Sequence, residues 1–128
     1  MTMPHERTRS LRWGWELLST LRDGSTIDGA LVMRAIDVAY RYPSPETVAT
    51  WISQNPDRLP RSSAEAIEDA RHLFLDVRGC SEAGEELKRD ALFVLRHYPL
   101  PGAASHAAKF GVIGGLSAWL QPEDTYSA

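Results

Sequence analysis

Apolar residues recur every three or four positions through the first third of the chain, the spacing that places side chains on one face of an α-helix. Over residues 6–22 the apolar face consists of Leu11, Trp15 and Leu18, widened by Leu17 and Leu21. Over residues 28–41 a second apolar face consists of Leu31, Ala35, Val38 and Tyr42. These patterns predict two amphipathic helices, and Gly24 between them suits the end of the first because glycine adopts the left-handed conformation easily.

Residues 43–46 contain the signals for a helix end followed by a helix start. Pro43 lacks the backbone N–H that a helix needs and disfavours a helical residue before it. Ser44 offers an oxygen to the free N–H groups of a new helix, and Pro45 fits its first turn. A third helix is therefore predicted, with Val48, Trp51 and Ile52 on its apolar face and an end before Asn55 and Pro56.

The same order of patterns returns 56 positions later. Identical pairs at this separation include Leu17/Leu73, Arg22/Arg78, Ser25/Ser81, Leu31/Leu87, Ala35/Ala91, Tyr42/Tyr98, Pro43/Pro99 and Pro45/Pro101. The Tyr-Pro pairs are predicted to be structural turns. Since small helical units rarely bury enough apolar surface alone, two such units are expected to pack together.

The sequence therefore predicts an all-α protein of about six helices, built as a tandem duplication of a three-helix unit packed into one domain. The first unit is expected to cover about residues 6–54 and the second about 62–121. Residues 122–128 are polar and are predicted to form a flexible tail.

The last predicted helix starts at Pro101 and extends to Gln121, although it contains glycines that destabilise a helix by about 1 kcal/mol each relative to alanine. Two interpretations explain what compensates for this cost. The glycines allow close backbone packing within the domain, or they form a surface for another chain, including a second copy of this one. The candidate residues for that surface are Phe110, Gly111, Gly114, Gly115 and Trp119.

Composition indicates a globular chain, with 43% hydrophobic and 24% charged residues. A single cysteine, Cys80, excludes an intramolecular disulfide and fits a reducing compartment. The N-terminal residues mix charged and apolar positions, so no secretory signal is predicted, and the apolar stretch after Lys109 is shorter than the roughly twenty residues that span a membrane. We therefore expect a cytoplasmic protein without a membrane segment.

Arginine is the residue that could give the first helix a binding role. Arg7, Arg9 and Arg12 lie on this helix, with Trp13 off its main apolar face. Arginine binds planar anions and stacks on aromatic rings, so this surface could contact a protein partner or a phosphate backbone. The third interpretation is pairing within the chain, with the acidic fourth helix. A net charge of −3 argues against a dedicated nucleic-acid-binding protein.

The chain lacks a recognisable set of catalytic or metal-binding residues. Asp69 and His72 have a spacing found in carboxylate-bridged metal sites, but such sites need a second motif of the same kind. Cys80 follows a helix C-terminus, which does not activate a thiol. No catalytic residue, metal site or cofactor is predicted.

Residues 3–9 read Met-Pro-His-Glu-Arg-Thr-Arg, and residues 96–99 read Arg-His-Tyr-Pro. This opening, with Tyr-Pro after the second helix, resembles an uncharacterised family of short bacterial proteins that begin Met-Pro-x-Glu-Arg-Thr-Arg and end a helix with His-Tyr-Pro. The resemblance covers about residues 3–43, and the second unit lacks the opening motif. It implies a bacterial helical protein and transfers no catalytic residue.

The function predicted from these observations is a non-enzymatic protein–protein interaction protein, such as an adaptor, inhibitor or regulatory subunit. Its partner is expected to bind the first or the last helix. The alternative is a nucleic-acid-associated regulator that uses the arginine-rich first helix.

Overall fold

The computed structural model describes residues 2–24 and 28–123, and these residues form helices and connecting loops with no strand. The helices are α1 (Pro4–Arg22), α2 (Gly29–Arg41), α3 (Pro45–Gln54), α4 (Arg61–Gly79), α5 (Glu85–Arg96), α6 (Ala103–Phe110) and the single turn α7 (Leu116–Trp119). The predicted all-α fold is confirmed, with six helices in one domain and one additional turn. The predicted tail lies mostly outside the described residues, from 124 onwards.

The helix boundaries follow from local chemistry. The Ser44 hydroxyl accepts a hydrogen bond from the Thr47 N–H at 3.1 Å and so caps α3 as predicted. Asp28 caps α2 by accepting from the Ala30 N–H at 3.0 Å. Gly24, beyond the end of α1, has a φ of 76°. These short-range signals were readable from the sequence because each depends on residues close together in the chain.

The core forms where α1, α2, α4 and α5 meet. α4 packs against α2, α5 and α6, and α1 packs against α2 and α5. The largest fully buried side chains come mainly from α1 and α4: Leu11, Leu18, Leu21, Ile67, Leu73, Phe74 and Val77. Small residues at Ala35, Ala70 and Ala91 are also fully buried and let the helices approach closely.

Two buried tyrosines meet at the centre of this core. The Tyr42 hydroxyl donates to the Leu11 carbonyl and the Tyr98 hydroxyl donates to the Ile67 carbonyl, each at 2.9 Å. The two hydroxyl oxygens lie 3.4 Å apart. Each tyrosine therefore reaches back to a carbonyl 31 positions earlier in the chain. Pro43 and Pro99 follow them and are also buried.

The predicted continuous helix over residues 101–121 is wrong. α6 ends at Phe110, and the chain crosses a loop before the short turn α7. Gly111, Gly114 and Gly115 all have positive φ values, between 81° and 85°, which a helix does not allow. The glycines interrupt the helix and let the segment fold back over the end of α3.

Candidate functional site

Arg7 and Trp119, both predicted to face a partner, contact each other. The Arg7 guanidinium donates to the Trp119 carbonyl at 2.6 Å and lies 5.3 Å from the centre of its ring. Burial lowers the pKa of Arg7. The contact joins α7 to the start of α1, so these two side chains are used to hold the C-terminal segment in place.

Arg12 is also held by the C-terminal segment. Its guanidinium forms two hydrogen bonds with the Glu123 carboxylate, at 2.6 and 2.9 Å, and a third with Glu16 at 2.7 Å. The hydrogen bond with Glu123 raises the pKa of Arg12. The acidic partners of Arg12 are therefore Glu16 and Glu123, rather than residues of α4 as one interpretation of the sequence expected.

Two aspartates of α4 pair instead with arginines of α2. Arg41 lies 3.0 Å from Asp69, and Arg34 lies 2.6 Å from Asp76. Both pairs are partly exposed, so each contributes little to stability by itself. Their role is to neutralise the charges along the α2–α4 junction.

Arg9 and Trp13 remain at the surface. The Arg9 guanidinium stacks 5.1 Å from the centre of the Trp13 ring and lies 3.9 Å from the Glu6 carboxylate. Trp13 lines a groove of about 250 Å³ between α1 and α5, together with the half-exposed Phe93. Of the predicted α1 candidates, these two are the ones that the C-terminal segment does not hold.

The glycines of the C-terminal segment serve contacts within the chain. The Asn55 side chain donates to the Gly114 carbonyl at 3.2 Å and accepts from the Ser117 N–H at 2.8 Å. A Cβ atom at Gly115 would collide with this side chain. Close backbone packing thus accounts for Gly114 and Gly115, and Phe110 remains exposed at the end of α6.

Among the described helices, α2 carries the most exposed large apolar side chains, and sequence analysis placed no candidate there. Met33, Ile36 and Tyr40 are 66%, 45% and 92% exposed. They are spaced by three and four residues and point away from the face that α2 buries. These three side chains are called the outer face of α2 below. The signal was present in the sequence, because α2 has apolar residues on two opposite faces and the core explains only one.

A second apolar feature is a cavity of about 420 Å³ between α1 and α3. Its walls include Leu11, Val48 and Ile52, and the Arg12–Glu123 pair lies at its edge. α3 packs against α1 less extensively than α6 packs against α4, and a cavity of about 480 Å³ also lies between α4 and α6.

Within residues 2–24 and 28–123, no three His, Cys, Asp or Glu side chains are grouped so that they could hold a metal ion. In the same residues, no helix is long and apolar enough to cross a membrane. Comparison with protein-family models, curated proteins and solved structures finds no match to this chain. The resemblance of its opening residues to a bacterial family remains a prediction.

Proposed function

We propose that this chain is a non-enzymatic protein-interaction protein, an adaptor, inhibitor or regulatory subunit, and that its contact surface is the outer face of α2. The observation that carries the proposal is the exposure of three large apolar side chains at helical spacing, Met33, Ile36 and Tyr40. Contiguous exposed apolar surface is characteristic of interaction sites, because association removes it from water.

Packing does not require this face to be apolar. Counting 56 positions onward, the residues that correspond to Met33, Ile36 and Tyr40 are Arg89, Leu92 and Arg96 on α5. α5 buries Leu87, Ala91 and Val94, the counterparts of the residues that α2 buries. Since α5 packs in the same way with two exposed arginines on its outer face, the apolar residues of α2 need another explanation, and binding supplies one.

The partner element that fits this surface best is an amphipathic helix of another protein. Residues spaced by three and four positions form a ridge over two turns, and the grooves of a second helix accept such a ridge. The neighbouring charges of Arg34 and Asp37 are already paired, with Asp76 and Arg41 respectively. The contact is therefore expected to be mainly apolar, with weak dependence on salt.

We also propose that the fold arose by the tandem duplication predicted from the sequence. Three features support it at the separation of 56 residues. The hydrogen bonds of Tyr42 and Tyr98 correspond. α3 and α6 end at corresponding residues, Asn55 and Gly111, both with positive φ. The α1–α5 junction corresponds to the α2–α4 junction with the units exchanged.

The nucleic-acid alternative has weaker support. Arg7 and Arg12 are engaged with Trp119 and Glu123, and Arg9 with Glu6 and Trp13. A phosphate backbone would have to compete with these contacts.

An affinity pull-down from bacterial lysate, with and without nuclease, tests the proposal with three proteins: the native chain, Ile36→Glu and Leu92→Glu. Leu92 is the matched control, because it is exposed to nearly the same degree at the corresponding position of α5. We expect one protein to co-purify stoichiometrically with the native chain and with Leu92→Glu in both arms, and to be lost with Ile36→Glu.

Retention of that protein by Ile36→Glu would contradict the proposed surface. Recovery that disappears after nuclease treatment would favour the nucleic-acid alternative. If the native chain elutes as a dimer and the Ile36→Glu variant elutes as a monomer, the outer face of α2 binds a second copy of the chain instead of another protein.

A further inference from the structure

The cavity between α1 and α3 combines apolar walls with one cation at its edge. Leu11 is fully buried at its base, and Val48 and Ile52 line the α3 side. The volume of about 420 Å³ lies within the range of small-molecule sites. Arg12 lines the same cavity, so an apolar ligand in it would lie next to a guanidinium.

The Arg12 guanidinium already holds a carboxylate in the two-bond geometry that arginine uses for this group. Its Nε and one terminal nitrogen bind the two oxygens of Glu123 at 2.6 and 2.9 Å. The two side chains of the pair are 35% and 31% exposed. Because the pair is partly exposed, a carboxylate from solvent can reach Arg12 and offer it the same two hydrogen bonds in exchange for those of Glu123.

The corresponding part of the second half lacks this chemistry. Glu68 takes the place of Arg12, and its carboxylate accepts hydrogen bonds from the Gly102 and Ser105 N–H groups at the start of α6. α6 is thereby fixed against α4. The corresponding cavity of the second half, about 480 Å³ between α4 and α6, is lined by Arg61, Glu65 and Lys109 together with small residues. It therefore lacks the large apolar side chains and the Arg12–Glu123 pair that line the first-half cavity.

We propose that this cavity binds a small apolar monocarboxylate. Its apolar body packs against Leu11, Val48 and Ile52, and its carboxylate takes the place of the Glu123 carboxylate on Arg12. Binding therefore frees the C-terminal segment at Glu123. The site is separate from the outer face of α2, so this proposal does not rest on the proposed protein contact.

The head group is tested with three probes that share one apolar chain: octanoate, 1-octanol and octylamine. Each is titrated into the full ¹⁵N-labelled protein and followed by NMR. We expect octanoate to shift the amide signals around Leu11, Val48 and Ile52, and to bind about tenfold or more tightly than either control, because charge-assisted hydrogen bonds to Arg12 are strong. Equal binding of octanol or octylamine, or octanoate shifts confined to another part of the chain, would overturn the proposal.

Four variants test the residues. Glu123→Gln removes the competing carboxylate and should tighten octanoate binding by about two- to fivefold. Arg12→Gln should abolish the preference for octanoate over octanol. Ala49→Phe adds a ring at the exposed wall of the cavity and should block binding, whereas Thr50→Phe, one residue further along α3 and outside the cavity lining, should not.

The two α3 variants change exposed positions, so they keep the test decisive if Arg12→Gln fails to fold. Native octanoate affinity in Ala49→Phe would refute binding in the cavity. Unchanged affinity in Glu123→Gln would refute displacement of Glu123. Dispersed NMR spectra check the folding of each variant before titration.

Discussion

Tyr42 and Tyr98 each donate a hydrogen bond within their own half of the core, and their hydroxyl oxygens meet 3.4 Å apart between the halves. Their hydroxyl groups are buried, and their acceptors are the Leu11 carbonyl of α1 and the Ile67 carbonyl of α4. Gly14 lies beside this pair, and a Cβ atom there would collide with the Tyr42 hydroxyl. A glycine inside α1 destabilises the helix by about 1 kcal/mol relative to alanine, and the close approach of Tyr42 explains why it is present.

Removal of either hydroxyl should lower stability by a similar amount. We expect Tyr42→Phe and Tyr98→Phe each to reduce the free energy of unfolding by about 1 kcal/mol, because each loses one buried hydrogen bond of the same length. Urea unfolding followed by circular dichroism measures the change. Tyr40→Phe is the control, since Tyr40 is 92% exposed and should change nothing. Clearly unequal costs would contradict the structural correspondence of the two tyrosines.

A helix boundary could be predicted from the sequence when the residues that set it lie close to it in the chain. The ends of α1, α2 and α3 follow from apolar periodicity, capping residues and prolines that lie within a few positions of each boundary. The break after α6 depends on Asn55, which contacts Gly114 from 59 positions away. Arg12 was recognised as a binding residue, but its partner Glu123 is 111 positions distant. No local pattern contains either pairing.

Asn55 connects α3, the following loop and α7. It ends α3, and its side chain bonds the Gly114 carbonyl in the loop and the Ser117 N–H in α7. Gly115→Ala should lower the free energy of unfolding by about 2 kcal/mol or more, since its φ of 82° with extended ψ is accessible mainly to glycine and the new methyl group meets Asn55. Gly79→Ala is the control, because nothing lies within 4 Å of the added Cβ. Thermal unfolding of both variants makes the comparison, and equal midpoints would contradict the assigned role of Gly115.

The candidate sites illustrate a further limit of sequence reasoning. Sequence analysis named Trp13 and Arg9 separately as candidates for contacting a partner, and the structure shows that they stack on each other. The outer face of α2 was overlooked because the same helix offers a second apolar face that suits the core. Which face is buried depends on the position of α4, and that is decided by packing of the whole molecule.

The whole molecule depends on one centre where α1, α2, α4 and α5 meet, and the two buried tyrosines lie there. Burial raises the pKa of Tyr42 and of Tyr98 above the ordinary value of 10.0. A raised pKa in the folded state means that the folded chain keeps protons which the unfolded chain releases. Stability from these groups is therefore complete below about pH 10 and is lost as pH rises above it.

Above pH 10 the free energy of unfolding should fall by about 1.4 kcal/mol per pH unit for each tyrosine, until the pKa of the folded state is reached. Urea unfolding at several pH values between neutral and strongly alkaline, with tyrosinate absorbance recorded in parallel, measures this slope. Tyr42→Phe should reduce the slope by about half, in addition to the loss of about 1 kcal/mol expected at neutral pH. An unchanged slope in a chain with both Tyr42→Phe and Tyr98→Phe would assign the alkaline loss to other groups and would argue against a shared buried centre.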